Sequence, residues 1–404
     1  MSMGTPITSD APTDWASLRV REFPGSRINL NAGTLGTSPR SVRVAQREFW
    51  RGGLRAWPLG QYQRGRAATR RVRELAGRLW GASNLAVTGG ASEAMTRLTL
   101  ALHARLAPGP IHVLASGHEH AGGINGFLRH PGFTLSYLPA ETLTCPAALA
   151  AHVAEHRPHV LLLSQVTYTT GLMLPIAGHL AAVRAARPDL WVIIDAAQAV
   201  GLVPPAITDA DAVVASGHKW LFGPPGSGLV WLNERALHEL GPGAAGEPLD
   251  PESPCAAFER VGGHDFSVHA GLAAALELHE ALGPAAVIGR SRDLAAWFAA
   301  ELHARLRDRA VHHLFFDSTT GVAKDTPPPA DRLIGSVHVQ FPALDPYPAY
   351  AALDARGIHF KCIKDLRTDG TRLAVLRACI PCYETHTRLR RALDLLTAVL
   401  VGAT

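Results

Sequence analysis

"DAVVASGHKWLFGPPGSGLVWL" (residues 211–232) holds two short apolar runs, Asp211 to Ala215 and Gly228 to Leu232, with a lysine between them. Runs rich in β-branched and aromatic residues, bounded by Ser, Gly and Pro, read as buried strands. Lys219 falls in the connection, flanked by His218 and Trp220 and followed by the hinge "GPPGSG". A lysine between strands is ordinarily a solvated loop residue. Here the loop is built of small and cyclic residues that hold the chain to one path, which suits an amine that must stay in place.

Outward from this stretch the chain alternates. "LAVTGG" (85–90), "IHVLASG" (111–117), "HVLLLSQVTY" (159–168) and "LWVIIDAA" (190–197) are strand-like, and stretches such as "SEAMTRLTLALHARL" (92–106) and "GHLAAVRAARP" (178–187) have helical spacing. Strands alternating with helices predict an α/β fold with a mostly parallel sheet flanked by helices. In such sheets ligands sit at the carboxyl ends of the strands, where "TGGASE", "GHEHAGG", "TYTTG", "DAAQ" and "SGHK" all fall. From Phe266 a long helical pattern leads into a smaller α+β unit that ends in the helix "HTRLRRALDLLTAVLVG". The expected division is a large domain over 28–275 and a small one over 276–404, with segment 1–27 packed on the latter.

A chain of 404 residues, 47% hydrophobic and 18% charged, has the composition of a globular enzyme. The net charge of +5 is spread without a run of like charges, so nucleic acid is not an expected partner. Five scattered cysteines make no disulfide framework and fit a reducing cytoplasm. Cys379 and Cys382 have the spacing of a metal half-site, but no second pair accompanies them and no metal is assigned. The first residues lack the pattern of a signal peptide, and no segment has the length of a membrane span.

Three features carry chemistry. "TGGASEAM" (88–95) follows a strand and opens a helix; free amides at that terminus, reached past small residues, can cradle a phosphate. "IIDAAQAVG" (193–201) ends an apolar strand on Asp195, a carboxylate that needs a cation or strong donor unless it only caps the next segment. Lys219 follows 24 residues later. An amine, a buried carboxylate and a phosphate cradle together match a ligand with an aldehyde, a basic ring nitrogen and a phosphate, namely pyridoxal 5'-phosphate.

With these motifs the sequence resembles fold-type I pyridoxal-phosphate enzymes of the class V aminotransferase family, on the cysteine desulfurase and isopenicillin N epimerase-like branch. The resemblance covers roughly residues 28 to 395. It implies Lys219 as the lysine that binds the cofactor covalently, Ser216, His218, Ala91 and Ser92 at the phosphate, Asp195 on the pyridine nitrogen, Gln198 on the ring hydroxyl and His120 stacked on the ring. "LRACIPCYET" resembles the family's arginine motif and implies that Arg377 grips the substrate α-carboxylate. "INLNAGTLGTSP" puts Asn31, Ala32 and Gly33 near the substrate. The family implies a homodimer with active sites at the subunit interface, to which Gln61 and Tyr62 of the helix "PLGQYQRGRAATRRVRELAGRLWG" (58–81) are candidate contributors.

The departures narrow the chemistry. Desulfurases carry a nucleophilic cysteine on a mobile loop, but Cys362 of "GIHFKCIKDLRTDGTRLAVLRA" comes early, in a strand-like stretch. Tyr168 in "VTYTTG" stands where desulfurases have Asn, and Gly263 and His264 stand where many relatives have a Thr that reaches the partner's phosphate. His118 and His264 flank motifs and are watched for that reason. The expected reaction is β-elimination with C–S cleavage of a cysteine S-conjugate or its sulfoxide, in a specialised biosynthetic pathway. Epimerisation, transamination and decarboxylating or oxidative deamination remain open on the same scaffold. A catalytically silent sensor or scaffold is the reading from another class.

Overall fold

The computed structural model describes residues 13–53, 58–81, 83–205, 210–241, 250–259, 262–366 and 372–402. In chain order its strands are β1 (Ile28–Asn29), β2 (Leu85–Thr88), β3 (Ile111–Ala115), β4 (Phe133–Tyr137), β5 (Val160–Ser164), β6 (Trp191–Asp195), β7 (Ala212–Ser216) and β8 (Gly228–Leu232). After these come β9 (Leu314–Phe316), β10 (Ala323–Lys324), β11 (Ser336–Gln340), β12 (Ile358–His359), β13 (Lys361–Leu366) and β14 (Arg372–Cys379).

The central sheet has the order β2-β8-β7-β6-β5-β3-β4 and is parallel except for β8, which runs against both neighbours. Its middle strands are buried on both faces, as their nearly unbroken apolar runs require. Alternate residues serve opposite layers: Val192 and Ile194 join one core cluster with Leu180 and Leu272, while Trp191 and Ile193 join another with Leu98 and Phe127. Helices therefore cover both faces, and the sheet is the mostly parallel α/β architecture that the alternation predicts. The parallel strands end along one edge, where Ser164 is paired with Asp195 and Ser216 with Gly228.

The long helical pattern after Phe266 is two helices, Ser267–Leu282 and Pro284–Arg307, bent by 82°. Gly283 makes the corner with a φ of +77°, and Pro284 opens the second helix where a missing N–H costs nothing. That second helix and His386–Gly402 pack on an antiparallel sheet ordered β10-β9-β11-β14-β13. Within β14, Leu376 and Ala378 enter the core below, so Arg377 between them points to the other side. Of the N-terminal segment, residues 1–12 lie outside the described residues. Leu18 and Phe23 pack with Phe222, Leu278 and Tyr383. Among the described residues no single helix is long and apolar enough to cross a membrane.

Gly228 shows how tightly the sheet edge is joined to the helix Ala91–Leu106. A Cβ on this residue would lie 2.3 Å from the Cα of Gly90, at the start of that helix. Backbone meets backbone there, so neither can yield by changing a rotamer. Gly228→Ala should cost about 1–3 kcal/mol in urea unfolding, as overpacking does. It should also weaken anion binding at the helix start, while Gly262→Ala, with open space around it and a strained φ, costs stability alone.

Candidate active site

A cavity of about 640 Å³ opens at the carboxyl edge of the central sheet and is closed on its far side by the sheet of β13 and β14. Lys219 lies on its wall with Asp195, Ser216, His218, His120 and Arg377. Ser216, His218 and Lys219 belong to one stretch and the other three to separate ones; only the fold makes the four neighbours.

The lysine loop is closed on itself. Gly217 N–H donates to Ser227 O, Gly223 N–H donates to Gly217 O, and the Ser227 hydroxyl donates to Pro224 O. Phe222 sits at φ +61°, a left-handed conformation that costs a bulky residue roughly 1–2 kcal/mol. Its ring is buried against His279 at 4.9 Å and Phe23 at 5.5 Å, packing that offsets the strain. Gly36 presses on the loop from outside: its N–H donates to His218 O, and a Cβ there would lie 2.2 Å from Lys219 O. Lys219 thus has a backbone held from within and from without.

Its amine is tuned by the same enclosure. Burial pushes Lys219 down to about 8, the Asp195 carboxylate pulls it back up, and the charge of Arg377 lowers it further. Asp195, 6% exposed at the end of β6, accepts from Ala197 N–H at 2.8 Å through Oδ1, and Oδ2 faces Gly123, whose missing Cβ leaves it room. His120 and His218 are both held below the ordinary histidine range, by burial first and by the Lys219 charge second. His120 meets Tyr168 edge-on at 5.0 Å, so two rings stand together on one wall.

The helix Ala91–Leu106 begins at the cavity, with Ala91 and Ser92 in its first turn. A Cβ on Gly122 would strike the Ser92 hydroxyl at 2.2 Å, and one on Gly90 would face His218 at 3.7 Å. Small residues thus clear a space in front of a helix N-terminus, with His218 beside it, as an anion needs. The residues fit pyridoxal phosphate: a phosphate-sized cradle at one end, a carboxylate for a ring nitrogen at the other and a tuned amine between. This fit rests on the donor set and on the glycine-cleared space.

Arg377, 2% exposed, donates to Tyr168 O at 3.2 Å, Thr34 Oγ1 at 3.2 Å and Asn31 Oδ1 at 3.4 Å. Gly33 is required at its place, because a Cβ there would lie 2.7 Å from Gln198 Oε1, 2.8 Å from Cys379 Sγ and 3.1 Å from the Arg377 guanidinium carbon. Gln198 donates to Gly33 O at 2.7 Å and accepts from Trp220 Nε1 at 3.2 Å, which ties the glycine segment to the lysine loop.

Not every candidate reaches the cavity wall. Ala32 is fully buried with Leu202, Trp220 and Cys379, in a turn closed by Thr34 N–H and Leu35 N–H on Asn31 O. Asn31 touches the site through Arg377. His118 hydrogen-bonds Thr169 Oγ1 at 2.7 Å, and His264 approaches His269 at 3.3 Å; neither lines the cavity. Gln61 is buried and Tyr62 is exposed near Gly263. Cys362 does line the wall, within β13 as its strand-like setting predicts, but burial raises its thiol pKa.

Sequence reasoning missed Glu119. It is buried close to Asp195 and pushed up to about 7 by that burial, although Ser116 Oγ at 2.6 Å, Ser164 Oγ at 2.6 Å and Ser164 N–H at 2.9 Å donate to it. Its only sequence signal is a carboxylate between two histidines after a strand, which reads as loop polarity. Thr34 and Ser164 carry no signal of their own.

The enclosure of Lys219 has a measurable consequence. In cofactor-free protein its amine is protonated and inert well below about 8 and free above it, so labelling by an amine-directed reagent should reach half its maximal rate near that pH. An ordinary lysine would require a pH near 10.4. Asp195→Asn removes the charge that holds the proton, and should move the midpoint lower. Mass spectrometry of the Lys219 peptide across a pH series reads both.

Comparison with known proteins agrees with this geometry. The family model described as aminotransferase class-V matches residues 60–361. An isopenicillin N epimerase of Streptomyces clavuligerus is 29% identical over 312 residues, covering 70% of this chain and 77% of that one. The solved cysteine desulfurase of Thermococcus onnurineus NA1 superposes with a TM-score of 0.78 at 17% identity, over 96% of this chain and 98% of its own. A cystine C–S lyase solved with its reaction product cysteine persulfide superposes with a TM-score of 0.74 at 20% identity, over 91% and 96%. The chain belongs to the class V aminotransferase family, and is a pyridoxal 5'-phosphate enzyme of fold type I.

Proposed function

We propose that the protein cleaves the C–S bond of a cysteine S-conjugate or its sulfoxide by β-elimination. The observation that carries this reading is the pairing of a low-pKa amine, Lys219, with a cavity whose described residues include no activated thiol to take up the sulfur. Cys362 and Cys379 line or adjoin the site, but burial raises both above the ordinary thiol range. That the solved structures with this fold include a cystine C–S lyase supports the choice.

The bound cofactor supplies an aldehyde for the substrate amine and an electron-poor ring that acidifies the Cα–H bond. Asp195 would hold the proton on the ring nitrogen, and the small residues at the start of Ala91–Leu106 with Ser216 and His218 would hold the phosphate. Gln198 would hold the ring hydroxyl and His120 would stack on the ring, with Tyr168 edge-on behind His120. Arg377 binds the α-carboxylate and so fixes which substituent on Cα faces Lys219. Lys219 would remove the Cα proton as a neutral amine. The Cβ–S bond then breaks, the thiolate leaves and takes up a proton, and water completes the conversion of the carbon skeleton to pyruvate and ammonium. The S-conjugate and one water thus give a thiol, pyruvate and ammonium; a sulfoxide loses a sulfenate in place of the thiolate and gives a sulfenic acid.

The enzyme is further proposed to act as a homodimer. Trp50, Leu59 and Tyr62 are exposed on the helices Arg40–Gly53 and Leu59–Trp80, an apolar surface near Gly263 that a second copy would cover. Sedimentation at micromolar concentration should give twice the chain mass, and Leu59→Glu with Tyr62→Glu should shift it toward the monomer.

The deciding experiment incubates the holoenzyme with cysteine S-conjugates, their sulfoxides and simple amino acids, measuring pyruvate and ammonia. Pyruvate from the S-conjugates alone is the expected outcome. Altered chirality of the amino acid without pyruvate would replace this reading with epimerisation, and a keto acid formed with the aminated cofactor would replace it with transamination. Lys219→Ala should abolish borohydride trapping of the cofactor. Arg377→Met should lower kcat/KM about 100-fold, the loss of about 3 kcal/mol expected when one partner of a buried charged hydrogen bond is removed.

A further inference from the structure

Lys361 lies directly opposite Arg377 in the antiparallel register of β13 and β14. Paired residues on adjacent strands share a face, and both side chains line the cavity. Like charges facing one another across two strands are destabilising unless something of opposite sign lies between them. Among the described residues nothing does so. Arg377 donates to the neutral acceptors Tyr168 O, Thr34 Oγ1 and Asn31 Oδ1. Lys361 has no hydrogen bond or ion pair among the described residues, whereas Lys364, on the same strand, is held by Asp345 at 2.7 Å and lies over the Tyr347 ring at 4.7 Å. The carboxylates that do line the cavity are engaged elsewhere: Asp195 faces Lys219, and Glu93 binds Arg97 and Gly89 N–H.

The two cations also differ in depth. Arg377 is almost wholly enclosed, while Lys361 is half-buried and on the edge strand of its sheet. A substrate whose α-carboxylate meets Arg377 would extend its side chain past Lys361 on the way out. Lys361 is still within charge range of the ring wall, since it contributes to holding His120 below its ordinary range.

We propose that Lys361 selects a substrate with a second anionic group, so that the substrates are cysteine conjugates whose S-substituent carries a carboxylate. The inference rests on the C–S lyase reading for the identity of the substituent, and on the charge pair alone for its sign. Lys361 is then a specificity residue, separate from the groups that handle the Cα proton.

The test compares S-carboxymethyl-L-cysteine with its neutral near-isostere S-carbamoylmethyl-L-cysteine on the holoenzyme. Affinity is read from the change in cofactor absorbance on titration, and turnover from pyruvate. The wild type should bind the acid about 10- to 100-fold tighter, Lys361→Met should remove that preference while changing the amide less than threefold, and Lys361→Glu should favour S-(2-aminoethyl)-L-cysteine. Equal binding of acid and amide by the wild type would overturn the inference. So would an equal loss for both with Lys361→Met, since it would mean that Lys361 merely shares the α-carboxylate with Arg377. Because absorbance reports binding whichever bond breaks, a charge preference without pyruvate would retain the inference and remove the lyase reading.

Discussion

The structure depends on keeping one amine enclosed and facing one carboxylate. Asp195 ends β6 and Lys219 comes just past the end of β7, its parallel neighbour, so the sheet itself sets their spacing. Burial makes the carboxylate the main charge compensation of the amine. Removing water from an ammonium is costly, and the resulting drop of its pKa to about 8 is also what would let it act as the base of the proposed reaction. The same enclosure thus opposes the charged form and serves the chemistry.

Around that pair stands rigid backbone more than side chain. The loop from Gly217 to Ser227 is closed by its own amides and carbonyls, Gly36 brings a second segment against it, Gly33 brings that segment against Gln198, Cys379 and Arg377, and Gly228 brings the sheet edge against the start of Ala91–Leu106. At each of these contacts the approach is closer than a Cβ permits. Glycine here is a matter of distance, and its effect is to transmit the position of one element directly to the next. Arg377 is held in the same way, by two carbonyl-type oxygens and a hydroxyl instead of a carboxylate, so that its charge is left for a ligand.

Much of this was legible in the chain. Unbroken apolar runs such as "VIID" and "AVVAS" mean strands covered on both faces, and the polar residues that end them must lie at one edge of a parallel sheet. That pattern placed Lys219, Asp195 and the start of Ala91–Leu106 at the edge where the cavity opens. Glu119 was not legible, because a glutamate between two histidines in a loop looks solvated until Ser116 and Ser164 are seen to enclose it. Ala32 lies off the cavity wall for the opposite reason: proximity in sequence to Gly33 and Asn31 says nothing of direction, and the turn that follows Asn31 buries its side chain against Leu202, Trp220 and Cys379.

By itself, the sequence determined the layered α/β fold and the cofactor, since these follow from local periodicity and from residue types whose chemistry is narrow. The tertiary structure decided which charges face one another. Arg377 beside Lys361 and Glu119 near Asp195 depend on strand register and on packing between segments far apart in the chain. Register shifts by one residue would reverse every side chain, and composition carries no record of it.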